Sequence, residues 1–191
     1  MCRVDVRAIG PLESSVGLGG FNGSIHKLFG VHMVLYTVTD WLGLVPIFIA
    51  FCFGALGLFQ WIKRGALRKV DFSLFVLGGF YIVVIFLFLF FEKAVINYRP
   101  VLINGILEAS YPSSTTLLVS CVFPTAEMQL RHRFAKSVKS RFVSVLLYAL
   151  LAFMVIARLV SGVHWASDIV GGLALSAGLV SIYAAIAHKK G

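Results

Sequence analysis

Long apolar stretches alternate with short polar segments along this chain. Five stretches carry no Asp, Glu, Lys, Arg or His, and they cover residues 41–62, 72–91, 109–126, 142–157 and 169–187. An α-helix crosses the hydrocarbon core of a membrane with about 20 apolar residues, usually about 17 to 25. Four of the stretches reach that length and one falls slightly short. The pattern therefore predicts an all-α fold, a polytopic membrane bundle of about five transmembrane helices.

The N-terminal segment has a different pattern. Residues 24–40 carry apolar residues at roughly helical spacing among polar ones, which predicts an amphipathic helix lying on the membrane surface rather than a sixth span. Residues 1–23 are glycine-rich and predict a surface segment. Because no internal repeat or long linker interrupts the pattern, we expect one membrane domain over 1–191. Its N-terminal segment would cover 1–40 and its bundle 41–188.

The charge distribution orients this predicted bundle. The chain is 59% hydrophobic and only 13% charged, yet its formal net charge is +9. Eleven basic residues fall on one side of the predicted spans: Lys63, Arg64, Arg68, Lys69, Arg131, Arg133, Lys136, Lys139, Arg141, Lys189 and Lys190. By the positive-inside rule that side is cytoplasmic. We therefore expect a multi-pass protein of the cell membrane with its other face outside the cytoplasm, and membrane lipids rather than nucleic acid as partners.

Polar residues gather at the opposite ends of the predicted helices. They are Lys93, Asn97, Arg99, Glu108, Ser113, Ser114, Thr115, Thr116, Arg158, His164, Ser167 and Asp168. Taken singly, an arginine at a span end is usually an interfacial anchor, and serines after a proline often cap a helix. Charged groups at the edge of a membrane domain nevertheless cost free energy unless they are paired or hydrated. Their convergence on one face predicts a functional site.

The segment VSGVHWASD, residues 160–168, suggests the chemistry of that site. Gly162 allows a turn between two helices, and His164 and Asp168 lie four residues apart on one helical face. An aspartate bonded to one imidazole nitrogen fixes the tautomer and leaves the other nitrogen free to act as a nucleophile or base. Arginines on the same face predict an anionic substrate, for which phosphate is the natural partner. Together these residues predict a phosphoryl-transfer site.

At these residues the sequence resembles the type-2 phosphatidic acid phosphatase family, membrane lipid phosphatases related to the vanadium haloperoxidases. Arg158, His164 and Asp168 match the third motif of that family, with Ala157 where serine is usual. The other two motifs match less completely. Arg99-Pro100 ends the first motif, but Lys93 is one residue out of register and Glu92 stands at the lysine position. Pro112-Ser113 begins the second, but Ser114 replaces its glycine and Thr115 its histidine.

The resemblance implies a role for each matched residue. His164 would attack phosphorus and form a phosphohistidine, and Asp168 would orient it. The substrate phosphate would be held by Arg99, Ser113, Ser114, Arg158 and Lys93. Thr115 would stand where the family has its general acid, although a threonine hydroxyl does not titrate near neutral pH. Arginines and helix ends would do what a metal does elsewhere, so we expect no metal and no cofactor.

The expected function is an integral-membrane lipid phosphatase acting on lipid phosphates or diphosphates. A diphosphate releases a phosphate that departs with little help from an acid, so polyprenyl diphosphate is the favoured substrate over phosphatidylglycerophosphate and phosphatidic acid. The alternative is a non-catalytic or disabled family member that binds lipid phosphates without efficient turnover, because Thr115 replaces the acid. A transporter with an anion vestibule is a weaker alternative, since no inverted repeat is visible. The sequence does not indicate an oligomeric state.

Overall fold

A computed structural model describes residues 4–134 and 137–187 as a helical bundle preceded by a small hairpin. Strands β1 (Arg7–Ala8) and β2 (Ser15–Val16) pair antiparallel. The helices are α1 (Gly19–Phe29), α2 (Met33–Leu42), α3 (Leu44–Arg64), α4 (Phe72–Lys93), α5 (Ser114–Phe134), α6 (Val138–Val160) and α7 (Ala166–Ala187). The prediction of an all-α polytopic bundle is confirmed.

Four helical stretches in the described part of the chain are long and apolar enough to cross a membrane. They are Met33–Arg64, Phe72–Lys93, Val138–Val160 and Ala166–Ala187. α5 is the central helix and is buried along most of its length. It begins later than the predicted span 109–126. It also ends later, because it continues through a charged turn in which Glu127 pairs with Arg131. The count of five spans is therefore approximate, with α5 enclosed by the others.

The predicted interfacial helix 24–40 is divided between α1 and α2. The break lies at Gly30, which has a positive φ of 69°, and it packs on the turn that follows α6. There the His32 N–H donates to the Ser161 carbonyl at 2.9 Å. Gly162, with φ of 67°, lies so close that a Cβ atom would overlap the Gly30 carbonyl oxygen. Glycine is thus required at 162 both for the turn and for this contact.

Two apolar clusters pack against opposite sides of α5 and form the core. One contains Leu74, Leu77, Phe80, Val84, Leu117, Cys121 and Tyr183. The other contains Val119, Val122, Phe123, Ala126, Leu147 and Met154. The outer faces of α3, α4 and α6 instead expose large apolar side chains, among them Phe51, Ile82 and Ile156. Such an outward-facing apolar surface is what a helix in contact with lipid presents.

A polar network holds the basic end of the bundle together. Gln60 Nε2 donates to Asp71 Oδ2 at 2.8 Å, and Arg64 and Arg133 form ion pairs with the same carboxylate at 2.8 and 2.9 Å. These contacts lower the pKa of Asp71, and the hydrogen bond from Gln60 has the largest effect. The network places the ends of α3 and α5 beside the start of α4, as the predicted topology requires. Lys136, Lys189 and Lys190 lie outside the described residues.

Candidate active site

His164 and Asp168 meet at the end of the bundle away from that network. His164 lies in the turn between α6 and α7, and Asp168 lies in the first turn of α7. Both side chains are almost completely buried. His164 Nδ1 is 4.0 Å from Asp168 Oδ2, which is beyond a direct hydrogen bond. The spacing of four residues therefore brings the pair together, but a third residue joins them.

That third residue is Ser110, in the loop before α5. Its hydroxyl donates to Asp168 Oδ2 at 2.5 Å and lies 3.1 Å from His164 Nδ1. Its carbonyl oxygen also lies 3.1 Å from the same imidazole nitrogen. Because a carbonyl oxygen can only accept, Nδ1 carries the hydrogen. The other ring nitrogen, Nε2, then keeps its lone pair. This Nδ1–H tautomer is the one that a nucleophilic Nε2 needs.

The Asp168 carboxylate is held in place from several directions. Its Oδ2 also accepts from the Trp165 backbone N–H at 2.9 Å. Its Oδ1 receives longer contacts of 3.4 Å from Asn97 Nδ2 and from the Ser167 hydroxyl. A charge buried this deeply is stable only when its oxygens find donors. The donors come from the turn before α7 and from the loop after α4, so the carboxylate fastens these two segments together.

Arg158, in the last turn of α6, points into the same end of the bundle. Its Nη2 donates to Asp40 Oδ1 at 2.9 Å and to Thr115 Oγ1 at 2.5 Å. Its guanidinium carbon lies 4.7 Å from the centre of the Tyr36 ring, at cation–π distance. Its Nε and Nη1 are buried and have no hydrogen-bond partner among the described residues. Two donors of this arginine are therefore left for an anion.

Arg99 also lies near the Tyr36 ring. Its guanidinium carbon is 5.8 Å from the ring centre, and its Nε lies 3.1 Å from Glu108 Oε2. Its buried Nη1 likewise lacks a hydrogen-bond partner within the described ranges. A buried, unpaired guanidinium donor costs free energy unless something accepts from it. Two arginines with such donors fit the prediction of an anion site.

The electrostatic setting keeps the imidazole neutral. Burial lowers the pKa of His164 well below its ordinary value near 6.5, and the positive charges of Arg99 and Arg158 lower it further. The hydrogen bond to the Ser110 carbonyl opposes this shift. A neutral imidazole has an unprotonated nitrogen at physiological pH, so the same arginines that attract an anion also favour the nucleophilic form of His164.

The remaining predicted site residues occupy different positions around this pair. Ser113 is fully buried, and its hydroxyl accepts from the Thr116 hydroxyl at 3.1 Å, so it helps to cap α5. Ser114, the first residue of α5, lines the space beside His164. The Thr115 hydroxyl oxygen accepts a hydrogen bond from Arg158 Nη2. Lys93 is exposed at the end of α4, and its neighbour Glu92 is the residue that lines that space.

Two adjoining cavities reach the site. The first has a volume of about 20 Å³, close to that of one water molecule, and its walls include His164 and Arg99. The second measures about 490 Å³ and runs between α3 and α4 beside the start of α5. Its walls are mostly apolar, with a polar end formed by Asp40, Ser114 and Thr115. Phe88, Ser114 and Leu117 line both cavities, so the two cavities are neighbours.

The sequence did not predict three residues that contact the site residues. Ser110 stands in an unremarkable loop, and only the fold brings it between His164 and Asp168. Tyr36 and Asp40 belong to the segment predicted to lie on the membrane surface. Asp40 offered one usable signal, since it is an acidic residue next to a long apolar stretch. Across residues 4–134 and 137–187, no three His, Cys, Asp or Glu side chains gather as metal ligands.

Comparison with known proteins places this arrangement in a family. The sequence model of the PAP2 superfamily matches residues 79–191, more than half of the chain. The protein belongs to the PAP2 superfamily. The matched part contains Arg99, Arg158, His164 and Asp168, whereas Tyr36 and Asp40 precede it. The resemblance seen in the three motifs is therefore confirmed at the level of the family.

One solved structure of a PAP2 protein shares the overall fold. It is the first transmembrane PAP2 type phosphatidylglycerolphosphate phosphatase from Bacillus subtilis, with 18% sequence identity and a TM-score of 0.52. The superposition covers 91% of this chain and 96% of the other. At that identity the likeness shows the fold of a multi-pass membrane phosphatase. No protein matches in a search of the curated proteins.

Proposed function

We propose that this PAP2 protein is an integral-membrane lipid phosphatase that works through a phosphohistidine on His164. The observation that carries the proposal is the hydrogen bond from Nδ1 to the Ser110 carbonyl, which leaves Nε2 free beside two arginines. In the first step the Nε2 lone pair forms a bond to phosphorus. The bond from phosphorus to the leaving oxygen breaks, and that oxygen keeps the electron pair.

The arginines and the start of α5 supply the electrostatic part of the proposal. Arg99 Nη1 and Arg158 Nη1 are buried and without a partner in the described structure, and in this proposal they donate to the phosphoryl oxygens. Backbone N–H groups in the first turn of α5, near Ser114, favour the same negative charge. Lys93 and the Ser113 hydroxyl would add donors if the loop before α5 shifts on binding. Preorganised donors of this kind stabilise the charge that develops on the oxygens in the transition state.

The larger cavity supports a lipid as the substrate. Its apolar walls come from Leu44 and Ile47 on α3 and from Val84, Ile85 and Leu89 on α4. Both helices face outward with apolar side chains, so a lipid tail in the bilayer has access from the side. We propose that the tail lies in this space with the phosphate at the end formed by Ser114 and Thr115.

Among lipid substrates we favour a polyprenyl diphosphate over phosphatidylglycerophosphate or phosphatidic acid. The Thr115 hydroxyl is already hydrogen-bonded to Arg158, and it cannot act as a strong acid. A monophosphate ester would expel an alkoxide, which needs a proton in the transition state. A diphosphate expels a phosphate instead, so the absence of an acid at 115 harms this reaction least.

A disabled family member that binds lipid phosphates without efficient turnover is the second candidate. The contact between Thr115 and Arg158 favours it. Arg158 Nη2 donates to the Thr115 hydroxyl, so this nitrogen is already occupied when a phosphate binds. The two candidates differ in a direct measurement. Purified protein in detergent is given polyprenyl diphosphate, phosphatidylglycerophosphate and phosphatidic acid, and phosphate release is followed with His164→Ala as the control. Release that disappears in the variant supports the enzyme, whereas tight binding without release supports the binder.

We also propose that the site faces the extracytoplasmic side of the cell membrane. The positive-inside rule supports this orientation, because Lys63, Arg64 and Arg141 lie at the opposite end. Single cysteines in a cysteine-free background test it at two exposed positions, Ile106→Cys near the site and Val138→Cys at the basic end. An impermeant thiol reagent added to intact cells should label only the first. Labelling of only the second would reverse the orientation.

A further inference from the structure

We infer that Asp40 is the general base that activates water in the second half of the reaction, in the role left vacant at Thr115. This inference rests on the proposed function. The phosphohistidine must be hydrolysed before the enzyme can turn over again, and an attacking water must lose a proton. Thr115 cannot accept that proton. A proton acceptor is therefore needed near the phosphoryl group, and it must be free to take up and release a proton.

The contacts of Arg158 place Asp40 beside the vacant position. Arg158 Nη2 donates to Asp40 Oδ1 at 2.9 Å and to Thr115 Oγ1 at 2.5 Å. The two oxygens therefore share one donor atom. An ion pair with a guanidinium requires the carboxylate form of the aspartate, which is the form that accepts a proton. The other nitrogens of Arg158 stay available for the phosphoryl oxygens.

Asp40 and His164 line two neighbouring cavities. Asp40 lines the larger cavity together with Ser114 and Thr115. Ser114 also lines the smaller cavity, whose walls include His164, so Asp40 and His164 each share a cavity with Ser114. The Asp40 side chain is 62% exposed and is thus not enclosed by other parts of the protein.

Other carboxylates at this end of the bundle are less suitable. Asp168 is fully buried and accepts from Ser110 and Trp165. Glu108 lies against Arg99. Glu92 lines the cavity beside His164 and is the one rival that the geometry leaves in reach. In the part of the chain that the structure describes, it makes no ion pair with Arg158, unlike Asp40, and it does not line the larger cavity beside Thr115.

Water oxygen forms a bond to phosphorus while the bond from phosphorus to His164 Nε2 breaks, and the electron pair returns to Nε2. The proton of the water passes to the Asp40 carboxylate. Phosphate then leaves, Asp40 releases its proton to solvent, and the ion pair with Arg158 forms again. No metal, oxidant or further reactant takes part.

The test separates formation of the phosphohistidine from its breakdown. Asp40→Asn preserves the oxygen that accepts from Arg158 and removes the ability to take up a proton. In rapid-quench experiments with a lipid diphosphate, we expect the phosphoenzyme to form within a few-fold of the normal rate. Its breakdown should slow about a hundredfold or more, the usual contribution of a positioned base. The result is a burst of about one lipid monophosphate per enzyme, with the transferred phosphoryl group retained on His164, followed by slow turnover.

Two further variants make the outcome decisive. Asp40→Ala, which opens space for a small carboxylate, should regain breakdown when formate is added. Glu13→Gln, which removes an exposed carboxylate in the N-terminal segment that lines neither cavity, should leave both steps unchanged. Equal slowing of formation and breakdown in Asp40→Asn would mean that the residue only positions Arg158, and would overturn the inference.

Three other results would also overturn it. Glu92→Gln is compared in the same assay, and slow breakdown in that variant with normal breakdown in Asp40→Asn would assign the base to Glu92. Normal breakdown in both variants would exclude each carboxylate. If the unmodified protein forms no phosphoenzyme from any substrate, the proposed function fails first and this inference fails with it.

Discussion

Replacing Ser110 by alanine tests how the catalytic pair is joined. The change removes the hydroxyl that donates to Asp168 Oδ2 at 2.5 Å and lies 3.1 Å from His164 Nδ1. It keeps the backbone carbonyl that accepts from the same imidazole nitrogen. The tautomer of His164 should therefore survive, but the imidazole loses its connection to the carboxylate 4.0 Å away.

The expected size of the effect follows from the hydrogen bonds that are lost. A hydrogen bond to a charged group contributes about 1.5–3 kcal/mol, and about 1.4 kcal/mol corresponds to a factor of ten in rate. If that stabilisation is needed when His164 becomes positively charged by attack on phosphorus, kcat should fall roughly 10- to 100-fold. The folded state should also lose stability, because Asp168 keeps the Trp165 N–H as the one short contact to Oδ2 among those described.

The assay compares two buried serines. Phosphate release gives kcat for Ser110→Ala, and thermal unfolding in detergent gives its stability. Ser120→Ala is the matched control, since the Ser120 hydroxyl is buried in α5 and has no hydrogen-bond partner in the described structure. We expect normal activity in the control and a loss of both activity and stability in Ser110→Ala.

One result would refute this account of the pair. If Ser110→Ala keeps kcat within about twofold while Asp168→Asn loses most activity, then Asp168 must bond directly to His164 in the working enzyme. The 4.0 Å separation would then close on substrate binding, and Ser110 would serve only the structure of the loop.

Three further predictions concern the same site. His164→Ala should abolish phosphate release, whereas Asp168→Asn should leave a small residual rate, because loss of the nucleophile ends the reaction and loss of its partner misaligns it; equal residual rates in a phosphate-release assay would contradict this. Thr115→His should raise kcat for a lipid monophosphate about a hundredfold and that for the matched diphosphate much less, since only the monophosphate needs an acid; similar changes for both would exclude position 115 as the place of the acid. Burial and two arginines lower the pKa of His164, so Nε2 stays unprotonated as pH falls through 6.5. The pH profile of kcat/KM for an activated phosphate ester should therefore show no inflection near 6.5. An inflection there would show that the pKa of His164 is not lowered.

Much of the fold follows from the apolar pattern, but the helix boundaries do not. The predicted span 109–126 marks where charge is absent, whereas α5 occupies Ser114–Phe134. A central helix tolerates Glu127 because Arg131 and Ser144 bind its carboxylate, and such partners are not visible in the local sequence. The surface segment 24–40 divides at Gly30 for a similar reason, since its break is fitted to Gly162 far along the chain.

The site shows the same division between local and long-range information. His164 and Asp168 are predictable because their spacing along one helix is a local property. Ser110 joins them from a separate loop, more than fifty residues away. Asp40 reaches Arg158 across 118 positions. Contacts of that range depend on how the helices pack, which no short motif encodes.

The central claim is that phosphate passes through a covalent bond to His164. The most direct test is to mix purified protein with a labelled lipid diphosphate, quench it within milliseconds in alkali, and locate the label by mass spectrometry. The account predicts one acid-labile, alkali-stable phosphate on His164, present in Asp40→Asn at higher occupancy than in the unmodified protein. Steady release of phosphate with no label on His164 in either protein would contradict the account.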